Sequence, residues 1–428
     1  MSQKIQAVRG MNDVLPSDAP AWQRLHAVAA EVFAAYGYAE IRLPVVERSE
    51  LFKRAVGEVT DVVEKEMYSF EDRGGERLSL RPELTAGVVR AGIEHGLFFN
   101  RQQRLWCSGP VFRYERPQAG RYRQFHQLDV EAFGIATPDL DVEIIALAEA
   151  LFRRLGVGGF RLQLNSLGTP AVRAAYRAKL VDYLRRFESS LDEDSRRRLS
   201  TNPLRVLDSK VPATRAILEG APQLPDHLDA PSRAHFEAVQ RGLSDLGIAY
   251  ALNPRLVRGL DYYTHTVFEW TSTALGAQDA VCAGGRYDGL VEQLGGPPTP
   301  GIGFAIGVER LVLLMRAQEV PLPEAGPQVY FCRFGERADP AAAQLAETLR
   351  RRLPGLRLLL NAGGGALKTQ LRRADASGAR YALILGDDEA AAGRVQVKSL
   401  RGEGEPRSVA VSELPAQLAE LLELPLLS

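Results

Sequence analysis

The stretch from Cys107 to Gly134, CSGPVFRYERPQAGRYRQFHQLDVEAFG, constrains the fold more than any other part of the chain. Val111, Arg113 and Glu115 alternate with Phe112 and Tyr114, and later Gln127, Asp129 and Glu131 alternate with Leu128, Val130 and Ala132. A period of two is that of a half-buried strand. Between the runs, Pro117 cannot donate to a ladder and Gly120 accepts turn dihedrals, so the spacing predicts an antiparallel hairpin with an extended loop. Arg113, Arg116, Arg121 and Arg123 crowd the turn, while acids and an amide line the returning strand. Cations at one end and acceptors at the other suit a ligand with an anionic phosphate end and a cationic or hydrogen-donating end. Taken alone, the stretch reads better as an exposed, charged hairpin.

A chain of 428 residues exceeds a single core, so two or three domains are expected. Its formal net charge of zero removes the easiest argument for a nucleic-acid partner without excluding one, because local basic patches set phosphate affinity. Cys107, Cys282 and Cys332 are isolated in sequence, which offers neither a disulfide framework nor a CxxC metal pair and fits a reducing compartment. The opening MSQKIQAVRGMNDVLP has no apolar signal core and no run approaches bilayer length, so a cytoplasmic protein without membrane association is expected.

Apolar spacing predicts a helix over 19–36, then a strand over 39–46, a helical turn over 51–56 and a charged segment over 57–67. Runs at 68–70 and 77–80 flank Asp72-Arg-Gly-Gly75 as a hairpin, and Thr85 stands where a helix cap is expected. A helix over 139–155 and a strand over 160–165 precede an Arg-, Asp- and Ser-rich region, about 169–250, that reads as a helical insertion. Strand character returns over 258–270, a turn is expected at 284–289, and a glycine-containing strand over 301–307 leads into an apolar helix over 308–315. The segment 320–327, rich in Pro and Gly, reads as a linker. Short strands at 329–332, 356–360, 381–385 and 395–397 then alternate with helices over 341–352 and 367–376, the pattern of a small α/β domain. Domains 1–325 and 326–428 follow from this division.

Three familiar chemistries are absent from the pattern. Gly363-Gly-Gly-Ala-Leu-Lys-Thr369 resembles half of a P-loop, but Leu367 stands where a glycine must precede the lysine. Six histidines show no metal-ligand spacing, so no protein-built metal site is expected. No GxSxG nucleophile elbow occurs either.

Several separated segments resemble one family. GPVFRYERPQAGRYRQFHQLDVE is similar to motif 2 of class II aminoacyl-tRNA synthetases and GIGFAIGVERL to their motif 3, while LVRGLDYYTHTVFEW and AGGRYDGL resemble the signature segments of the histidyl-tRNA synthetase family. VRGMNDVLP, the stretch 51–87 and ALKTQLRRADASGARYALILGDDE carry the resemblance over nearly the whole chain. It implies an α+β catalytic domain with an antiparallel, class II synthetase-like sheet carrying the helical insertion, then a small α/β anticodon-binding domain, assembled as a homodimer. The implied reaction joins L-histidine to ATP as histidyl-adenylate, releasing pyrophosphate, and then transfers histidine to the terminal ribose of tRNA(His). Magnesium is implied with the nucleotide.

By resemblance Arg113 and Arg258 are catalytic, holding the α-phosphate, and Arg121 and Arg310 hold the outer phosphates of ATP. Fixed cations aimed at a phosphorus under attack stabilise the transition state more than the ground state. Glu83 and Thr85 are expected at the α-amino group, Gln127 near carboxylate and amine, and Glu131 with Tyr262, Tyr263 and Tyr287 around the imidazole. Period two places Gln127 and Glu131 on one face, and places Tyr262 and Tyr263 on opposite faces, so one of the two tyrosines is expected in the core. Arg116 is expected to face the tRNA acceptor end. Two other functions compete with this reading. The regulatory subunit of ATP phosphoribosyltransferase resembles the same family but senses histidine without aminoacylating, and it lacks the tail domain; a domain that only scans tRNA would lose the arginines. Here 329–422 is present and all four arginines stand, which favours the enzyme.

Overall fold

A computed structural model describes residues 4–57, 60–275, 279–324, 326–402 and 405–427. The chain divides into two compact units, Met1–Pro323 and Glu324–Ser428. Part of the charged segment 57–67 and one residue of the linker 320–327 lie outside the described residues.

The first unit opens with α1 (Ala19–Ala35), which buries Ala21, Leu25, Ala29, Val32 and Phe33 as its apolar spacing requires. The expected strand over 39–46 is instead divided. β1 (Ala39–Glu40) and β2 (Val46–Arg48) join different sheets, separated by Pro44, which has no N–H to give to a ladder. α2 (Ser49–Val56) leads to the hairpin of β3 (Ser69–Glu71) and β4 (Arg77–Leu80), and Asp72 closes it by accepting from the amides of Gly74 and Glu76, each at 2.8 Å. α3 (Thr85–Glu94) follows, then the long hairpin of β5 (Gln103–Phe112) and β6 (Gln124–Phe133), antiparallel as its alternation predicts. Strand pairing stops at Phe112, so Arg113 and Glu115 belong to the loop.

α4 (Pro138–Leu155) carries acids in its first turn, arginines in its last and Gly156 in a left-handed cap, so charge and turn chemistry agree with its ends. After β7 (Phe160–Ser166) the insertion forms α5 (Pro170–Arg185), α6 (Glu193–Thr201), α7 (Pro212–Leu218) and α8 (Ala230–Asp245). The side chains of Thr169, Asp192 and Asp229 cap α5, α6 and α8 by accepting from amides three residues on. β8 (Tyr250–Leu252), β9 (Thr264–Ser272), β10 (Ala280–Arg286), α9 (Leu290–Gln293), β11 (Gly301–Gly307) and α10 (Val308–Ala317) complete the unit. The main sheet runs β1-β5-β6-β11-β10-β9-β7-β8, antiparallel throughout its centre and parallel only at its two outer pairs.

The turn expected at 284–289 begins too early, because β10 runs through Gly284 and Gly285 to Arg286. A Cβ on Gly284 would strike the Gly303 carbonyl, so glycine here permits close strand approach rather than a turn. Arg286 then lies fully buried against Asp141 of α4, its Nε donating to Oδ2 at 2.7 Å, and His235 of α8 reaches the other Asp141 oxygen at 3.1 Å. This buried pair fastens the insertion, α4 and the sheet together.

The second unit holds β12 (Val329–Phe334), α11 (Ala338–Arg352), β13 (Leu358–Leu360), α12 (Leu367–Ala376), β14 (Tyr381–Gly386), α13 (Asp387–Ala391), β15 (Arg394–Ser399), β16 (Arg407–Ala410) and α14 (Leu414–Leu422). Its sheet order is β13-β12-β14-β15-β16. Val329 and Phe331 pack into one core while Tyr330 and Cys332 pack into another, so β12 is covered on both faces and reads as a continuous apolar run.

Candidate functional site

β6 presents Gln127, Asp129 and Glu131 on one face, and that face is buried: the three side chains are 9%, 1% and 1% exposed. An exposed charged hairpin is therefore excluded. The room for these groups comes from small register partners. Glu131 faces Gly303 on β11, with Leu105 on its β5 side, Asp129 faces Cys107 and Ala305, and Gln127 faces Gly109 and Gly307. A Cβ on Gly303 would sit on the Glu131 carboxylate. The result is a cavity of about 390 Å³ at the sheet's centre.

One end is made of acceptors. Glu83 Oε1 takes the Ala86 amide at 2.9 Å, so Glu83, not Thr85, caps α3. The Thr85 hydroxyl instead donates to Glu131 Oε1 at 2.5 Å, and the Tyr287 hydroxyl donates to Oε2. Burial pushes the Glu131 carboxyl up to about 8, against the pull of those two hydroxyls. Burial likewise raises Glu83. Glu83 Oε2, Gln127 Oε1 and Asp129 Oδ1 are buried without a hydrogen-bond partner, and all three residues line the cavity. Three unpartnered acceptors in one hole are costly unless a ligand brings donors to them.

The other end is made of arginines. Arg113 Nε donates to the Pro82 carbonyl at 2.8 Å, and its guanidinium lies 5.5 Å from the Phe125 ring centroid. Arg121 is ion-paired with Glu115. Arg310 reaches across, giving Nε to the Gly120 carbonyl at 3.0 Å and Nη1 to that of Ala280 at 2.5 Å. Burial, then the neighbouring Arg121 and Arg113, pull the Arg310 pKa below its ordinary value. Arg258 pairs with Glu269 at 3.3 Å and keeps a buried Nε without a partner. Crowded cations and an orphan donor call for a polyanion.

The structure brings Glu83, Thr85, Gln127, Tyr262, Tyr263, Tyr287, Arg113, Arg121, Arg258 and Arg310 to the wall of this one cavity. Glu131 lies behind the wall, holding Thr85 and Tyr287. Arg116 is exposed on the loop between β5 and β6 and is not among the residues that line the cavity. Tyr262 and Tyr263 both precede β9, where strand alternation does not apply, and both are buried with the core while lining the cavity. Their rings lie 4.7 Å apart by centroid, and Tyr262 meets Tyr287 edge-on at 5.5 Å. Sequence reading missed Glu115, Phe125 and Asp129 as wall residues. For Asp129 the signal was present, since it shares the period-two face of Gln127 and Glu131.

The family model for histidyl-tRNA synthetase matches residues 10–311, and that for the anticodon-binding domain matches residues 328–421. Among solved structures, apo histidyl-tRNA synthetase of S. aureus is 35% identical over 97% of this chain and 99% of its own, with a TM-score of 0.81. Histidyl-tRNA synthetase from Nostoc sp. PCC 7120 shares the fold at 23% identity and TM-score 0.69, covering 98% of this chain and 100% of that one. An ATP phosphoribosyltransferase regulatory subunit/histidyl-tRNA synthetase from Bacillus halodurans C shares it at 22% and 0.67, covering 90% of this chain and 99% of that one. An antiparallel sheet with a polar cavity at its centre, a separate anticodon-binding domain and an extended match at 35% identity converge, and the chain belongs to the histidyl-tRNA synthetase family, the class II ligases that attach histidine to tRNA.

Proposed function

We propose that the acceptor end of the cavity holds histidine and the arginine end holds ATP, so that the amino-acid carboxylate meets the α-phosphate between them. The observation that carries this reading is that unpartnered acceptors on Glu83 and Gln127 and the cations Arg113, Arg121, Arg258 and Arg310 line one cavity. As the carboxylate oxygen attacks, a bond forms to phosphorus, the bond to the leaving pyrophosphate breaks, and negative charge grows on the equatorial oxygens. Arg113 and Arg258 are the donors proposed to meet that charge. Arg121 and Arg310 would hold the departing pyrophosphate. Glu83 and Gln127 receive the ammonium, Thr85 and Tyr287 are oriented by Glu131, and Tyr262 and Tyr263 close around the imidazole. A site that spends buried polar groups on ring nitrogens rejects analogues lacking them by roughly ten-thousandfold. The terminal ribose hydroxyl of tRNA(His) then attacks the adenylate carbonyl and AMP leaves, with Arg116 on the exposed loop meeting the acceptor end.

Magnesium is proposed only as an ion carried by the nucleotide phosphates. Among the described residues no three of His, Cys, Asp and Glu are grouped to hold an ion, and no step above passes through it. A cytoplasmic homodimer is the proposed state. Ile5, Val8, Val14 and Leu15 in the N-terminal segment and Val46 and Phe70 on the small sheet are exposed apolar side chains that a second copy would cover. Among the described residues no helix is long and apolar enough to cross a membrane. The domain boundary is proposed within the linker, at 325/326.

The test is histidine-dependent exchange of pyrophosphate into ATP by the wild type and by Arg258→Ala, with circular dichroism confirming that both are folded. Exchange in the wild type that falls by roughly a hundred- to a thousandfold in the variant supports the assignment. Undiminished exchange in Arg258→Ala would refute the role of that arginine, and no exchange in the wild type would refute the adenylating site.

A further inference from the structure

We propose that Asp129 is a further substrate-binding residue, its carboxylate receiving the α-ammonium of the amino acid alongside Glu83 and Gln127; the inference rests on the histidine reading above. Asp129 is 1% exposed, lines the cavity, and leaves Oδ1 without a hydrogen-bond partner. Its register partners on that face, Cys107 and Ala305, carry no cation. Neither of the two arginines that sense its charge hydrogen-bonds to it: Arg81 gives Nε to the Pro110 carbonyl and Nη1 to those of Leu43 and Pro44, and Arg113 gives Nε to Pro82. A buried carboxyl left unpaired by its own protein costs stability and does no packing that a leucine would not do better.

The remaining acceptors fix what would pair with it. Glu131 is occupied by Thr85 and Tyr287, and Glu83 spends Oε1 on the Ala86 amide. That leaves Glu83 Oε2, Gln127 Oε1 and Asp129 Oδ1, three orphan acceptors for the three N–H donors of one ammonium. Burial first, then Glu131 and Glu83, hold the Asp129 carboxyl well above the usual carboxylate range, with Arg81 and Arg113 opposing. An ammonium set against it reverses that balance. Asp129 therefore makes the site demand a charged amine, whatever the ring does.

The test uses the full chain and two competitive probes of pyrophosphate exchange: histidinol, which keeps the amine and lacks the carboxylate, and imidazolepropionate, which lacks the amine. Asp129→Asn should raise the KM for histidine and the Ki for histidinol roughly ten- to a hundredfold, leaving the KM for ATP and the Ki for imidazolepropionate as in the wild type. Equal weakening of both probes, or an unchanged KM for histidine, would overturn the proposal. Asp129→Ser repeats the test should the asparagine variant not fold, and failure of both to fold would make the residue structural and end the proposal. Absence of exchange in the wild type would instead bring down the underlying reading, a result distinct from wild-type exchange with an indifferent Asp129→Asn.

Discussion

Replacing Glu131 by glutamine keeps the side chain's shape and its two hydroxyl neighbours, Thr85 and Tyr287, and removes the one property that pH can change. Burial pushes the Glu131 carboxyl from 4.5 to about 8, with Glu83 adding to the rise and the two hydroxyls opposing it. The folded state thus keeps a proton that the unfolded chain has already lost. Stability contributed by this residue is full below pH 4.5, falls as pH rises, and stops falling above about 8. At about 1.4 kcal/mol per pH unit, the loss between about pH 5 and about pH 9 is roughly 4 kcal/mol. Glutamine does not titrate, so the stability of Glu131→Gln relative to wild type should improve by that amount across the window, whatever its offset at the acid end. Urea unfolding followed by near-ultraviolet circular dichroism at the two pH values measures the difference directly. A constant offset at both would mean that Glu131 is ionised throughout and that the buried face tolerates its charge.

Two further changes test other parts of the molecule. Asp141→Ala takes from the fully buried Arg286 its shorter carboxylate contact, leaving Asp288 at 3.2 Å, and should cost about 3 kcal/mol of stability, the lower end for a broken buried pair, read as a lower unfolding midpoint; a shift equivalent to less than about 1 kcal/mol would show that the pair behaves like a surface ion pair. Arg116→Ala should weaken aminoacylation of tRNA while leaving pyrophosphate exchange near the wild-type rate, since Arg116 lies on the exposed loop outside the cavity wall, and equal loss in both assays would refute that division of labour.

Periodicity predicted most elements because packing obeyed it. α1, α4, the long hairpin and the strands of the second unit follow apolar spacing that a single buried face demands. Where the reading failed, backbone chemistry or a tertiary contact had overridden the local pattern. Pro44 split a run that looked continuous, and Gly284 and Gly285 served strand approach where glycine pairs suggest turns. Strand alternation would put Tyr262 and Tyr263 on opposite faces, but both stand before β9 begins and both line the cavity. The short edge strand β16, with Val409 its only buried residue, carries too little pattern to be seen. The site was legible as a polarity of charge along the hairpin, but its burial was not, since nothing in the hairpin itself says what will cover it.

The room for the site comes from β11, and its sequence explains how a sheet can hold acids beside its core. Along Gly301-Ile-Gly-Phe-Ala-Ile-Gly307 the large residues Ile302, Phe304 and Ile306 are at most 2% exposed and fill the core, while Gly303, Ala305 and Gly307 stand opposite Glu131, Asp129 and Gln127. β5 repeats the device with Cys107 and Gly109. Each small residue withdraws volume that a neighbouring strand would ordinarily place beside the polar side chain, leaving a hole rather than a packed layer. The Phe side of β11 supplies the burial that holds the sheet; the Gly side supplies none. Asp129 and Gln127 placed there are shielded from water by the sheet and by Tyr262, Tyr263 and Tyr287, yet Asp129 Oδ1 and Gln127 Oε1 lack partners, and in a low-dielectric hole an unpaired acceptor favours a cationic donor more strongly than it would at the surface. The same strand therefore builds the core on one face and, by omission of side chains, the affinity for substrate on the other.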